Sequence, residues 1–184
     1  MLRFLLSRYI TRFERQWAYD ASYMRELLDL SPWTFIKFGL VTSLGHRTDA
    51  PPAAVAAAGL VGTLTEDCGP CTQISVDLAL AHGLPAATLQ AILAGDEAAM
   101  GPDAALGYAF AKASLARDLE EADRLRDEVI RRWGRKGLTN LGLILMASRT
   151  YPTLKYALGH GRACSRVEVA GAPAPVHRPQ VLAA

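Results

Sequence analysis

Two cysteines separated by two residues form the most reactive group in this sequence. Cys68 and Cys71 belong to the stretch TEDCGPCT at residues 65–72. Two thiols at this spacing at the start of a helix lie one turn apart, and they can close into a disulfide and reopen. Asp67 is predicted to be the N-cap, so that the free backbone N–H groups beyond it favour a thiolate. The pattern therefore predicts a working dithiol, with Cys68 and Cys71 as catalytic residues.

Neighbouring polar residues modify this prediction. Glu66 and Asp67 place carboxylates beside the thiols and raise their pKa, unless Glu66 acts as the base that accepts the thiol proton. Ser75 follows Cys71 by one helical turn, within hydrogen-bond reach of its thiol. Glu66 and Ser75 are therefore the other candidate catalytic residues. The helix-start argument favours Cys68 as the attacking cysteine, although Cys71 is left open as the alternative.

A metal site and an inert pair of half-buried cysteines are the alternatives to redox chemistry. His160 and Cys164 are four residues apart and could complete a Cys3His zinc set with the CxxC pair. The sequence contains no second CxxC, and glycines flank His160. We therefore expect a redox pair with neither metal nor cofactor.

Composition and charge narrow the class of protein. The 184 residues include 20 basic and 18 acidic side chains, interspersed along the chain, for a net charge of +2. This balance predicts no nucleic-acid partner. Three cysteines do not make a disulfide framework, and a lone CxxC without a secretory signal is typical of a reducing compartment, so we expect a cytoplasmic protein.

The N-terminal stretch MLRFLLSRYITRFERQW has an apolar stripe with arginines between its members. Such a basic amphipathic helix can lie on a membrane, but packing on the domain or on a neighbouring subunit is the commoner role of such a stripe. We expect that packing and no membrane contact.

Helical spacing runs through nearly the whole sequence. The predicted helices cover residues 2–29, 32–44, 51–64, 68–82, 85–95, 103–117, 118–136 and 137–158. The first has a possible weak point around residues 19–20, and the last is predicted to bend or restart at Pro152. The predicted fold class is all-α. The organisation is an N-terminal helical segment at 1–48, a helical domain with the CxxC at 49–163, and an Ala/Pro-rich tail at 164–184, loose or draped on a neighbour.

The helical context separates this chain from thioredoxins, which share the tetrapeptide CGPC. A thioredoxin needs a buried β-strand that leads directly into this motif. Here the preceding stretch is PAAVAAAGLVGTLTED, which predicts an alanine-rich helix and a short turn. The chain therefore does not have the thioredoxin arrangement.

Two longer strings resemble the carboxymuconolactone decarboxylase and alkyl hydroperoxidase D (AhpD-like) superfamily. They are TEDCGPCTQISVDLALAHGLPAATLQAIL and RLRDEVIRRWGRKGLTNLGLILMASRTYPTLKYALG, and the resemblance covers about residues 50–160. It implies an all-helical bundle, assembly into homo-oligomers, and a redox pair of cysteines that reduces hydroperoxides. Cys68 and Cys71 match the family cysteines. The histidine and glutamate of the family's proton relay correspond to Ser75 and Ala56, so the relay is not matched.

The leading hypothesis is a thiol-dependent peroxidase or disulfide oxidoreductase that acts on a small hydroperoxide or disulfide. A separate electron donor would return the cysteine pair to its reduced state. One alternative is a cofactor-free lyase for a small carboxylated ring, with Arg149 or Arg47 binding the anion. The other is a non-catalytic oligomeric scaffold with a structural dithiol.

Overall fold

The structure is a computed structural model that describes residues 1–45, 49–161 and 166–179. The secondary structure of these residues is eight α-helices and one short antiparallel hairpin. The elements are α1 Leu2–Trp17, α2 Ser22–Leu30, α3 Pro32–Ser43, α4 Pro52–Thr65, α5 Gly69–Ala81, α6 Ala86–Ala94, α7 Pro102–Ala116, α8 Leu119–Ala157, β1 Glu168–Val169 and β2 Ala172–Pro173. The prediction of an all-α class is confirmed for the described residues, with the hairpin as the exception.

Several helix ends follow directly from local sequence signals. Ala18 adopts the left-handed conformation (φ 46°) and ends α1 close to the predicted weak point. Ser31 caps α3 by accepting a hydrogen bond from the Trp33 N–H at 3.2 Å, and proline follows it at the first helical position. Gly95 (φ 71°) ends α6 in the left-handed conformation, as a C-terminal glycine allows.

The last helix bends at a different residue from the predicted one. We expected a bend or restart at Pro152, but α8 continues through that proline. The backbone leaves helical angles at Gly134 (φ 69°, ψ −178°), a conformation that a residue with a Cβ rarely adopts. Gly134 lies near the boundary predicted between residues 118–136 and 137–158, so the two predicted helices are the two arms of one kinked helix.

The larger hydrophobic core surrounds α4. This alanine-rich helix packs against α5, α7 and α8, and small residues allow its backbone to approach its neighbours closely. A Cβ added to Gly107 of α7 would lie 2.4 Å from the carbonyl oxygen of Ala54 on α4. One added to Gly62 of α4 would lie 2.1 Å from the Ser148 hydroxyl of α8. The CxxC helix α5 therefore starts from a rigid, tightly packed support.

A second, aromatic core joins α1–α3 to the C-terminal arm of α8. Its members include Ile10, Tyr19, Tyr23, Phe35 and Phe38, together with Tyr151 and Leu154 of α8 and Leu158, the residue that follows α8. The side chain of Lys155 is buried among them with 2% of its surface exposed. Its Nζ lies 5.2 Å from the ring centroid of Tyr19 and 5.7 Å from that of Tyr23, within cation–π range. The N-terminal segment thus packs on the helical domain of its own chain.

Helices α1 and α3 also carry large apolar side chains that are exposed. They include Leu2, Phe4, Leu5 and Tyr9 on α1, and Trp33, Leu40, Val41 and Leu44 in and just after α3. Among residues 1–45, 49–161 and 166–179, no helix combines the length and apolar character needed to cross a bilayer.

The tail differs from the expected loose segment. Residues 166–179 form the β1–β2 hairpin and its flanks, which lie against α5 and α6. Val167 and Val169 are buried in the larger core. The side-chain amide of Gln73 donates to the carbonyl oxygen of Glu168 at 3.1 Å and accepts from the Glu168 N–H at 2.7 Å. Buried valines and paired backbone groups fix a segment that composition alone described as loose.

Candidate active site

Cys68 and Cys71 form a disulfide at the turn between α4 and α5, with their Cα atoms 5.2 Å apart. Cys68 is the N-cap of α5, and its Sγ accepts a hydrogen bond from the Cys71 N–H at 3.3 Å. The expectation that Asp67 is the cap is therefore wrong by one residue. Asp67 adopts the left-handed conformation (φ 52°), and the extended residue after it, Cys68, takes the cap position. A sulfur thus replaces the usual cap oxygen.

Buried threonines hold this turn together. The Thr72 hydroxyl lies 3.0 Å from the carbonyl oxygen of Cys68 and 3.2 Å from the hydroxyl of Thr63 on α4. Both threonines are at least 98% buried. The position of the Cys68 backbone is therefore fixed from both helices, which limits the movement of its sulfur.

Both cysteines are buried, with 6% of Cys68 and 1% of Cys71 exposed. Cys68 lines a cavity of about 420 Å³, whereas Cys71 is 1% exposed and does not line it. The hairpin segment contributes Val167, Pro173 and Val176 to the lining of this cavity. A small molecule in this cavity would lie against Cys68, which is bonded to Cys71. This arrangement is consistent with Cys68 as the attacking cysteine and Cys71 as the resolving cysteine.

A larger concavity, about 640 Å³, runs along α1 and is lined by Arg8, Thr11, Arg12, Arg15 and Gln16. Its described lining holds no cysteine, histidine or carboxylate, so the smaller cavity beside Cys68 is the better candidate active site.

Glu66, the predicted base, lies in an ion pair. Its carboxylate accepts a hydrogen bond from Nε of Arg149 on α8 at 2.6 Å. The same contact occupies Arg149, one of the two arginines considered for anion binding in a lyase. The other, Arg47, lies outside the described residues. The ion pair fastens the α4–α5 turn to α8.

Ser75 is placed one turn after Cys71, as predicted, but its hydroxyl donates to the backbone carbonyl of Cys71 at 2.9 Å. This bond to the preceding turn is common for a helical serine. Ala56 on α4, the other position of the family relay, has no group that can carry a proton. The structure therefore shows no relay at these two positions.

The residues of the possible zinc set are not brought together. Nε2 of His160 lies 2.7 Å from a Glu26 carboxylate oxygen, and its Nδ1 lies 3.2 Å from the Ser22 hydroxyl. Cys164 lies outside the described residues. Among the residues that the structure describes, no three His, Cys, Asp or Glu side chains are grouped to hold a metal ion.

Sequence reasoning missed the arginines beside the disulfide. Arg166 and Arg178 flank the hairpin and line the same cavity as Cys68. Arg178 pairs with Asp67 at 2.5 Å. The signal that could have revealed them is VEVAGAP, in which alternating valines precede Ala170 and Gly171, two residues with φ of 52° and 78°. Positive φ at both central residues is typical of a two-residue hairpin turn.

Comparison with known proteins adds no relative: no family model, no curated protein and no solved structure matches this chain.

Proposed function

We propose that this protein is a thiol–disulfide redox protein of AhpD-like helical type, which reduces small hydroperoxides or disulfides through Cys68 and Cys71. One observation carries the proposal. The Cys68 sulfur accepts a helix N–H, Cys68 lines a cavity, and Cys71 is bonded to it.

The reaction begins with the reduced pair. The N–H of Cys71 and the start of α5 favour the thiolate form of reduced Cys68. The thiolate attacks one sulfur of a disulfide RS–SR, or the terminal oxygen of a hydroperoxide RO–OH, and releases RS⁻ or RO⁻. Cys71 then attacks the Cys68 sulfur and displaces the second thiol or water. Two electrons leave the dithiol, and the Cys68–Cys71 disulfide is the protein product.

A thiol or dithiol donor returns the pair to the reduced state by two exchange steps in the opposite direction. Protons for the leaving groups come from solvent that enters the cavity, since Glu66 is paired with Arg149 and Ser75 with the backbone. No cofactor is required for these steps.

The test uses reduced protein in a Cys164→Ser background, so that every counted thiol belongs to the pair. We expect cumene hydroperoxide or bis(2-hydroxyethyl) disulfide to consume two thiols per chain and to regenerate the Cys68–Cys71 disulfide, seen by mass spectrometry. Cys68→Ser should reduce the rate to that of a free thiol, and Cys71→Ser should stop at a mixed disulfide or sulfenic acid on Cys68. The proposal fails if neither oxidant consumes thiols faster than in the Cys68→Ser variant.

A further inference from the structure

We propose that the preferred substrates of this site are small disulfides that carry a carboxylate, and that Arg166 binds the carboxylate. The inference rests on the proposed redox function and narrows it in two respects. It selects disulfides over hydroperoxides, and anionic molecules over neutral or cationic ones.

The choice of disulfides follows from the leaving groups. A thiolate leaves a disulfide without help because its conjugate acid is comparatively strong. An alkoxide leaves a hydroperoxide poorly unless an acid protonates it. Among the described residues that line the cavity, none is a histidine, and the one carboxylate, Asp67, is paired with Arg178. The cavity therefore offers what disulfide exchange needs and lacks the acid that O–O cleavage needs.

The preference for anions follows from Arg166. Its side chain lines the cavity together with Cys68 and has no ion pair within the part of the chain that the structure describes. Arg178 is compensated by Asp67, so Arg166 leaves the mouth of the cavity with one net positive charge. A guanidinium group binds a carboxylate through two parallel hydrogen bonds, which fixes the orientation as well as the charge of the ligand.

The backbone next to Arg166 is fixed rather than loose. Val167 is 6% exposed, and its carbonyl oxygen accepts from the Ala174 N–H at 2.9 Å. Gln73 of α5 holds Glu168, two residues further on, by both backbone groups. Arg166 therefore projects from a segment anchored to the same helix that carries Cys71.

The remaining lining sets the size and polarity of the substrate. Leu64, Val167, Pro173, Ala174 and Val176 give the cavity apolar walls. Its volume, about 420 Å³, is in the range of small-molecule sites. A short aliphatic chain between the disulfide and the carboxylate fits this combination. The Cys68 thiolate attacks the nearer substrate sulfur, one carboxylated thiol leaves, and Cys71 releases the second as the protein disulfide forms.

Three disulfides of similar length and different charge test the inference. Reduced protein in the Cys164→Ser background is mixed with 3,3′-dithiodipropionate, bis(2-hydroxyethyl) disulfide or cystamine, and each second-order rate constant is divided by that of dithiothreitol with the same compound. We expect the normalised constant for 3,3′-dithiodipropionate to exceed that for the neutral disulfide by about tenfold at low salt, and this ratio to fall as salt is added. Cystamine should be the slowest.

Arg166→Met should remove most of the preference for the anion, measured as the ratio of the normalised constants for 3,3′-dithiodipropionate and the neutral disulfide. Arg135→Met is the matched control, because it removes the same charge from an exposed position on α8 that does not line the cavity. It should keep the preference. Arg178→Met is a second variant, for use if Arg166→Met folds poorly. It frees the Asp67 carboxylate, which should slow the reaction with the anionic disulfide more than the reaction with the neutral one.

Each outcome separates this inference from the proposed function. Equal normalised constants for the three disulfides, an undiminished preference in a folded Arg166→Met variant, or cumene hydroperoxide reacting faster than all three disulfides would overturn the inference and leave the redox function intact. Thiols that react with no oxidant faster than in Cys68→Ser would overturn the redox function itself.

Discussion

Cys68 combines three properties at the scale of a single residue. It caps a helix with its sulfur, it lines a cavity, and it is bonded to Cys71, which is 1% exposed. The cap bond matters most for chemistry, because an N–H that donates to a sulfur stabilises the thiolate more than the thiol. In the reaction proposed above, Cys71 takes the complementary role of resolving cysteine, in line with its 1% exposure.

A substitution at Glu66 distinguishes a base from a structural ion pair. Glu66→Gln breaks the contact with Arg149, so we expect the free energy of unfolding to fall by about 0.2–1 kcal/mol. The rate of thiol oxidation should change by less than about twofold, whereas loss of a general base costs about a hundredfold or more. Urea unfolding and stopped-flow thiol consumption measure the two quantities.

Glu97→Gln is the control for this prediction, because it breaks a surface ion pair with Lys112 and removes the same charge. Both substitutions should lower stability by similar amounts and leave oxidation unchanged. A large loss of rate in Glu66→Gln alone would make Glu66 the base.

At the scale of helices, close contact between α4 and α7 supports the site. Gly107→Ala would place a Cβ 2.4 Å from the Ala54 carbonyl oxygen and 2.8 Å from its Cα, and backbone atoms cannot move aside as a side chain does. We expect the free energy of unfolding to fall by about 1–3 kcal/mol, measured by urea denaturation.

Gly142→Ala is the matched control on α8, where an added Cβ would meet nothing within 4 Å. The gain in helix propensity should raise stability by about 0.5–1 kcal/mol. Equal stability of the two alanine variants would contradict the close packing of α4 on α7.

Lys155 makes the packing of the N-terminal helices on α8 depend on pH. Burial lowers the pKa of Lys155 from its usual value of 10.5, while Asp20 raises it to a smaller extent. Between the lowered pKa and 10.5 the unfolded chain binds more protons than the native protein, so the free energy of unfolding rises with pH in that window. Burial raises the pKa of Tyr19 to about 12, so this phenol stays neutral there.

Lys155→Met should abolish this rise, because it removes the group that titrates and keeps the apolar stem. Urea unfolding from neutral pH up to about pH 10 measures the effect. Lys136→Met, at an exposed position on the same helix, should behave as the parent protein does. A parallel pH dependence in the parent and in Lys155→Met would refute the role of Lys155.

At the scale of the whole molecule, α1 and α3 carry several exposed apolar side chains. Trp33 is 66% and Leu40 63% exposed, and they share one face of α3 at a seven-residue spacing. Apolar patches of this kind are typical of protein interfaces. We therefore propose that these two helices contribute to assembly.

Light scattering coupled to size-exclusion chromatography tests this proposal. The parent protein should elute as an oligomer, and a Trp33→Ser/Leu40→Gln variant should shift towards the monomer without loss of helical circular dichroism. The neutral pair Thr139→Ser/Gly142→Ala on α8 should leave the mass unchanged. A monomeric parent protein would remove the basis for the proposal.

The sequence by itself determined most of the helices and the position of the dithiol at a helix start. These features depend on interactions within a few residues: apolar spacing, Ser31-Pro32 before α3, Gly95 after α6, and the CxxC spacing itself. The predicted cap, Asp67, was wrong by a single residue. The sequence indicated a turn before α5, but it did not indicate the backbone angles that make Cys68 the cap.

Tertiary structure alone decided what surrounds the dithiol. Glu66 meets Arg149, 83 residues later, and Gln73 meets Glu168, 95 residues later. Arg166 reaches the cavity of Cys68 because buried valines hold its hairpin against α5. Residues this far apart in sequence come into contact when the whole core forms. The packing of that core offsets the chain entropy lost on folding, and no local sequence pattern encodes it.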